Sequence, residues 1–81
     1  MCMKKILFEK SYSDNTVQDS EINELLALTA NEPLLKNMSE QERITVNRSV
    51  LKGMFLAEDI GGSVLLECTE EGLCFSLTKK F

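Results

Sequence analysis

Residues 39–62 read SEQERITVNRSVLKGMFLAEDIGG, and this stretch decides the fold because a helix start, a helix face and a helix stop follow one another in it. Ser39-Glu40-Gln41-Glu42 is a capping box: the Ser39 hydroxyl can accept from the backbone N–H of Glu42, while the Glu42 carboxylate accepts from the N–H of Ser39. Gly61-Gly62 supplies the positive φ that closes a helix. Between them, at about 100° per residue, Ile44, Val46, Val50, Leu51, Met54, Phe55 and Ala57 cover roughly half the circumference, wider than the ~100° stripe of a helix buried on one side. The spacing predicts a helix over 39–60 that touches two apolar surfaces. Its remaining face, with Thr45, Arg48, Ser49 and Lys52, is expected to be wet.

On the N-terminal side, Leu34-Leu35-Lys36-Asn37-Met38 is more apolar than a solvent loop. Leu34 and Leu35 either plug the open end of a helix pair or anchor a partner. Before it, a first helix is expected from near Thr16 or Ser20 to about Ala30. Asp19, Glu21 and Glu24 lie in its first turns, where the helix dipole favours negative charge. Its stripe is Ile22, Leu25, Leu26 and Thr29, with Val17 and Leu28 beside it. Asn31 can take a left-handed cap, and Pro33 disfavours helix at Glu32. Residues 4–12 alternate as a strand, with Ile6, Phe8 and Tyr12 on one side and Lys5, Leu7 and Glu9 on the other.

On the C-terminal side, residues 63–68 and 73–78 form a hairpin around Thr69-Glu70-Glu71-Gly72. A loop of two or four residues sets Cys68 opposite Leu73, Leu66 opposite Phe75 and Val64 opposite Leu77, which gives one apolar face. A three-residue loop would set Glu67 opposite Phe75 and make Cys68 and Cys74 cross-strand neighbours able to form a disulfide. A one-residue slip turns a whole strand over, so the even loop is expected. The order β-α-α-β-β then gives an α+β fold: one two-layer domain over residues 1–81, a three-stranded sheet with both helices on one face and a C-terminal β-hairpin. The strand order stays open.

The totals restrict function. The chain has 81 residues, 43% of them hydrophobic, and a net charge of −4, which argues against nucleic acid as a partner. It has no histidine, so Ser-His and Cys-His nucleophiles and most zinc arrangements are excluded. Three cysteines read as free thiols in a reducing compartment. After Met1-Cys2-Met3-Lys4-Lys5 the apolar run is only Ile6-Leu7-Phe8, short of a secretory h-region, and no segment has the length of a membrane span. A cytoplasmic location is expected. Glu58-Asp59 and Glu70-Glu71 read as solvated carboxylates, and no catalytic residue, metal site or cofactor is assigned. A chain this short is not expected to house a ligand cavity of several hundred cubic ångströms.

Two helices followed by a hairpin resemble, in element order alone, the winged helix-turn-helix outline. That resemblance implies a DNA-binding face of Arg48 and Lys52 with Lys79 and Lys80 after the wing. The wing tip, however, is Glu70-Glu71, and the inter-helix link is longer than three or four residues. The leading expectation is a non-enzymatic regulatory or inhibitory protein that binds another protein or a second copy of itself. Its contact residues would be Leu34 and Leu35 or the central-helix edge Val46, Val50, Met54 and Ala57, where Met54→Glu would break a self-association.

Overall fold

The computed structural model describes residues 4–79, with the side chain of Leu34 left out. Its elements are β1 Lys4–Ser11, α1 Asp19–Asn31, a single 3-10 turn Pro33–Leu35, α2 Glu40–Ile60, β2 Ser63–Thr69 and β3 Gly72–Thr78. The capping box of α2 closes in both directions: Glu42 N–H donates to Ser39 Oγ at 3.2 Å, and Ser39 N–H donates to the Glu42 carboxylate at 3.0 Å. The backbone N–H of Ser39 holds the Glu42 carboxyl below its usual pKa, helped by the Ser39 side chain. At the other end Gly61 is left-handed, with φ 67°, and Gly62 N–H donates to the Ala57 carbonyl at 2.8 Å.

Ser39→Ala removes half of that box and should lower stability by about 1 kcal/mol. A carboxyl whose folded pKa is depressed stabilises the fold above its ordinary value of 4.5 and loses that contribution as pH falls through the folded pKa. Ser39→Ala keeps the backbone N–H that is the main cause of the shift, so the difference between parent and variant urea midpoints should be full at pH 7 and shrink in acid only by the part that the Ser39 side chain contributes. Equal midpoints at pH 7 would show that the cap contributes nothing.

β2 is the central strand of an antiparallel sheet ordered β1-β2-β3. The hairpin loop has two residues, so Cys68 pairs with Leu73, Leu66 with Phe75 and Val64 with Leu77, as the apolar pattern requires. Cys68 and Cys74 accordingly face opposite sides of the sheet, and both thiols are free. Cys2 lies outside the described residues.

In β1 the expected alternation fails. The register shifts between Ile6 and Phe8, so Leu7 and Phe8 together oppose Leu66. This bulge turns Ile6 outward opposite Glu67 and brings Lys5 to the helix side opposite Cys68, the reverse of strict alternation. Leu7 packs against the core and Ile6 is exposed.

Both helices lie on one face of the sheet in a slab of 35 × 30 × 16 Å. α1 is tied to the β1 side: Tyr12 Oη donates to Glu21, Lys10 Nζ pairs with Glu24 and Lys5 Nζ with Glu32, each at 3.2 Å. It runs through Asn31, and Glu32 caps it in extended backbone as the following proline demands, so Asn31 takes no left-handed cap. α2 lies over β2 and β3. The two helices join through Thr29 Oγ1 on Asn47 Oδ1 at 2.8 Å, and the loop before α1 joins α2 through Val17 N–H on the Glu58 carboxylate at 2.6 Å. Phe8, Tyr12, Leu25, Val50, Met54, Ala57, Val64 and Leu66 form the buried core.

Candidate protein-binding surface

The edge of α2 expected to remain free is the one that is buried. Val50, Met54 and Ala57 are at most 1% exposed, and Val46 is half-buried against the core. Contacts on both sides of the helix set this rotation. Asn47 fastens one side to α1, and Glu58 fastens it to Val17 in the loop that leads into α1. On the other, Gly53 is seated so closely on the Phe75 ring that a Cβ there would collide with it. A mid-helix glycine costs about 1 kcal/mol relative to alanine, so its presence marks a close approach and was the signal in the sequence for this seat. Leu35 is also buried, on the wall of a depression that it shares with Met38, Val46 and Leu73, and the backbone of Leu34 belongs to the same 3-10 turn.

The surface actually left over lies on the opposite side of α2. Ile44 is 41% exposed, Phe55 50% and Leu56 53%. By helical angle they flank Arg48 and Lys52, which are exposed as expected of the wet face. The outer face of α2 therefore carries Arg48 and Lys52 with Ile44, Phe55 and Leu56 along its borders, and the exposed Asp59 closes its C-terminal end. Leu26 of α1, 42% exposed, adds to the Ile44 and Phe55 side, because Thr29 and Asn47 fix which flanks of the two helices meet. Leu56 was absent from the sequence-derived arc because it falls beside the polar face.

A second apolar strip runs between α2 and β3. Leu73 is half-buried, while Phe75, Leu77 and Ile60 are about 40% exposed, although hairpin register alone put all three β3 side chains on the inner face. The inner face is right, but two helices do not reach across three strands, so β3 is only partly covered. Along this strip an open groove of about 190 Å³ is lined by Thr45, Ser49, Leu73 and Phe75 among others. It continues into a wider depression of about 410 Å³ beside Leu35, Met38 and Leu73. That volume exceeds what the chain length suggested; it is a surface groove left by the incomplete helix layer.

The cations assigned to a DNA-binding face are not gathered. Lys79 stands beside Gly61 and Gly62 at the C-terminal end of α2. Arg48 is about 20 Å away along the helix axis, at 1.5 Å per residue. The hairpin forms the floor under α2 and does not flank its outer face. Lys80 lies outside the described residues.

Among the described residues no three His, Cys, Asp or Glu side chains come together to hold a metal ion, and no helix is long and apolar enough to cross a membrane. The main electrostatic cluster is structural. Glu21 accepts from Tyr12 Oη and from Gln18 N–H, and Glu58 accepts from Val17 N–H, so the loop between β1 and α1 is tied to both helices. Burial pushes the Tyr12 phenol well above its ordinary pKa of 10.0, and the Glu21 carboxylate pushes it further. A raised folded pKa leaves its stabilisation intact below pH 10.0 and removes it as pH rises beyond. Tyr12 is the only tyrosine, so absorbance at 295 nm reads its ionisation directly. Phenolate should appear only together with loss of the far-UV helix signal, and Tyr12→Phe should resist alkali to a higher pH than the parent. A normal titration with the fold intact would contradict the burial.

Comparison with protein families, with curated proteins and with solved structures found no match for this chain.

Proposed function

We propose that this protein works by binding another protein through the outer face of α2, as a regulatory or inhibitory factor with no chemical step of its own. The observation that carries the reading is the grouping of Ile44, Phe55 and Leu56 around Arg48 and Lys52. Single exposed apolar residues are ordinary, but Phe55 and Leu56 are adjacent and lie within about one turn of Lys52, and large exposed apolar side chains beside charges are the form of an interaction site. Aromatic residues and arginine are enriched at the centres of such sites, where one large side chain fills a pocket and the guanidinium binds carboxylates. The matching partner surface is apolar and carries acidic groups. Arg48 and Lys52 also favour the approach of an acidic partner to this face of a chain whose net charge is −4.

The test is affinity capture from host extract on the parent and on Phe55→Glu, with folding checked by circular dichroism. Half of Phe55 is already in water, so the variant should fold. Proteins held by the parent, lost from Phe55→Glu and weakened by salt are the expected result. Identical retention by both chains, or none by either, would refute this face as the site.

A further inference from the structure

We infer that the free edge of β3 pairs with the β3 edge of a second copy, antiparallel and centred on Phe75, to make a continuous six-stranded sheet. This surface is separate from the outer face of α2, and the inference stands independently of the reading above.

The two edges of the sheet are built differently. β1 carries a bulge at Leu7 and three lysines, Lys4, Lys5 and Lys10, the devices that keep an edge strand from pairing. β3, GLCFSLT, has seven residues with no charge, no proline and no shift in register. Because Thr69 and Gly72 close a two-residue turn, hydrogen-bonded pairs alternate from there. Gly72, Cys74, Ser76 and Thr78 direct their N–H and C=O groups at β2. Leu73, Phe75 and Leu77 therefore direct theirs at the open edge.

Three features select a second copy as the occupant and fix its register. In the register centred on Phe75, Leu73 meets Leu77 of the other copy and Phe75 meets its own counterpart, so every inner-face pair is apolar. About six hydrogen bonds then form between the free groups of the two strands. In the same register Glu71 of each copy stands beside Lys79 of the other, at the two ends of the paired strands. A shift to a centre on Cys74 sets Leu77 against Glu71, and a shift to Ser76 sets Leu73 against Lys79, so the neighbouring registers each bury a charge against leucine. Finally, the groove beside Leu73 lies at one end of the strip and the protruding Leu77 at the other. A two-fold axis through Phe75 exchanges those ends, so each groove receives the other copy's Leu77, as an isologous contact requires.

Light scattering and sedimentation of the full chain over micromolar to millimolar concentration should show reversible conversion of a 9.1 kDa monomer to a species of twice that mass. Glu71→Lys should raise the dissociation constant roughly three- to tenfold by turning two attractive contacts repulsive, and the exchange Glu71→Lys with Lys79→Glu should restore it. Leu77→Lys, a charge on the inner face of the edge, should abolish the dimer while circular dichroism stays native. Should that variant unfold, the Cys2→Ser, Cys68→Ala chain with Cys74 as its one thiol tests the register alone. Cys74 is exposed, and strand spacing sets its two copies roughly 8–9 Å apart, within reach of a short bismaleimide. A cross-linked dimer is expected. A chain that stays monomeric to millimolar concentration, or a dimer that neither the charge exchange nor the Cys74 cross-linker touches, overturns the inference.

Discussion

Met54→Glu should leave the chain unfolded at neutral pH, with a coil-like far-UV spectrum and no cooperative urea transition. Met54 is completely buried, in a core shared with Leu25, Val50, Val64 and Leu66. Losing its side chain alone would cost about 2–5 kcal/mol. An ionised carboxylate in its place must also give up its hydration or hold its proton at neutral pH, and either adds several kcal/mol. An 81-residue domain has about 4–12 kcal/mol of total stability, so the sum removes the fold. Met54→Leu, which keeps the volume, should cost less than about 1.5 kcal/mol. A well-folded Met54→Glu chain would mean that this face of α2 is free surface after all.

Gly62→Ala is the second large effect, expected at about 3 kcal/mol or more in urea unfolding. The backbone of Gly62 is not left-handed, so alanine suits its conformation. The obstacle is the Thr78 carbonyl at the end of β3, which a Cβ on Gly62 would strike. Neither side can yield cheaply. Gly62 N–H is held by the Ala57 carbonyl at 2.8 Å, and its own carbonyl accepts from Tyr12 N–H at 2.9 Å. Gly61→Ala makes the contrast: φ is 67° there but nothing lies within 4 Å of an added Cβ, so only the conformational cost of about 1–2 kcal/mol applies. The predicted order of urea midpoints is parent, then Gly61→Ala, then Gly62→Ala. If Gly61→Ala proved the weaker variant, the packing of the α2–β2 corner against β3 would be wrong.

Local signals were legible where chemistry is local. Ser39 with Glu42 and Gly61 with Gly62 bounded α2 because capping bonds reach only three to five residues along the chain. The hairpin register followed from alternation, since a slip of one residue would have set Glu67 against Phe75 and split the apolar face between the two sides of the sheet. The bulge at Leu7 left no trace, because apolar residues at 6, 7 and 8 suit either face of a strand and only pairing with β2 distinguishes them. The side of α2 left in water differs from the one the arc suggests for a related reason. An arc of half a circle says how much surface must be covered, not which edge meets the sheet.

The sequence by itself determined the element order, the caps of α2, the turn and the absence of histidine chemistry, all of which depend on neighbours within a few residues or on composition. The tertiary structure alone decided three things. It made β2 the central strand, it rotated α2 about the Gly53–Phe75 contact and the Asn47 and Glu58 anchors, and it left β3 as a bare edge. Each depends on groups far apart in the chain meeting in space. The physical reason is that burial rewards total apolar contact without direction, so a periodic pattern specifies that a face is buried, and only shape and fixed polar bonds specify against what.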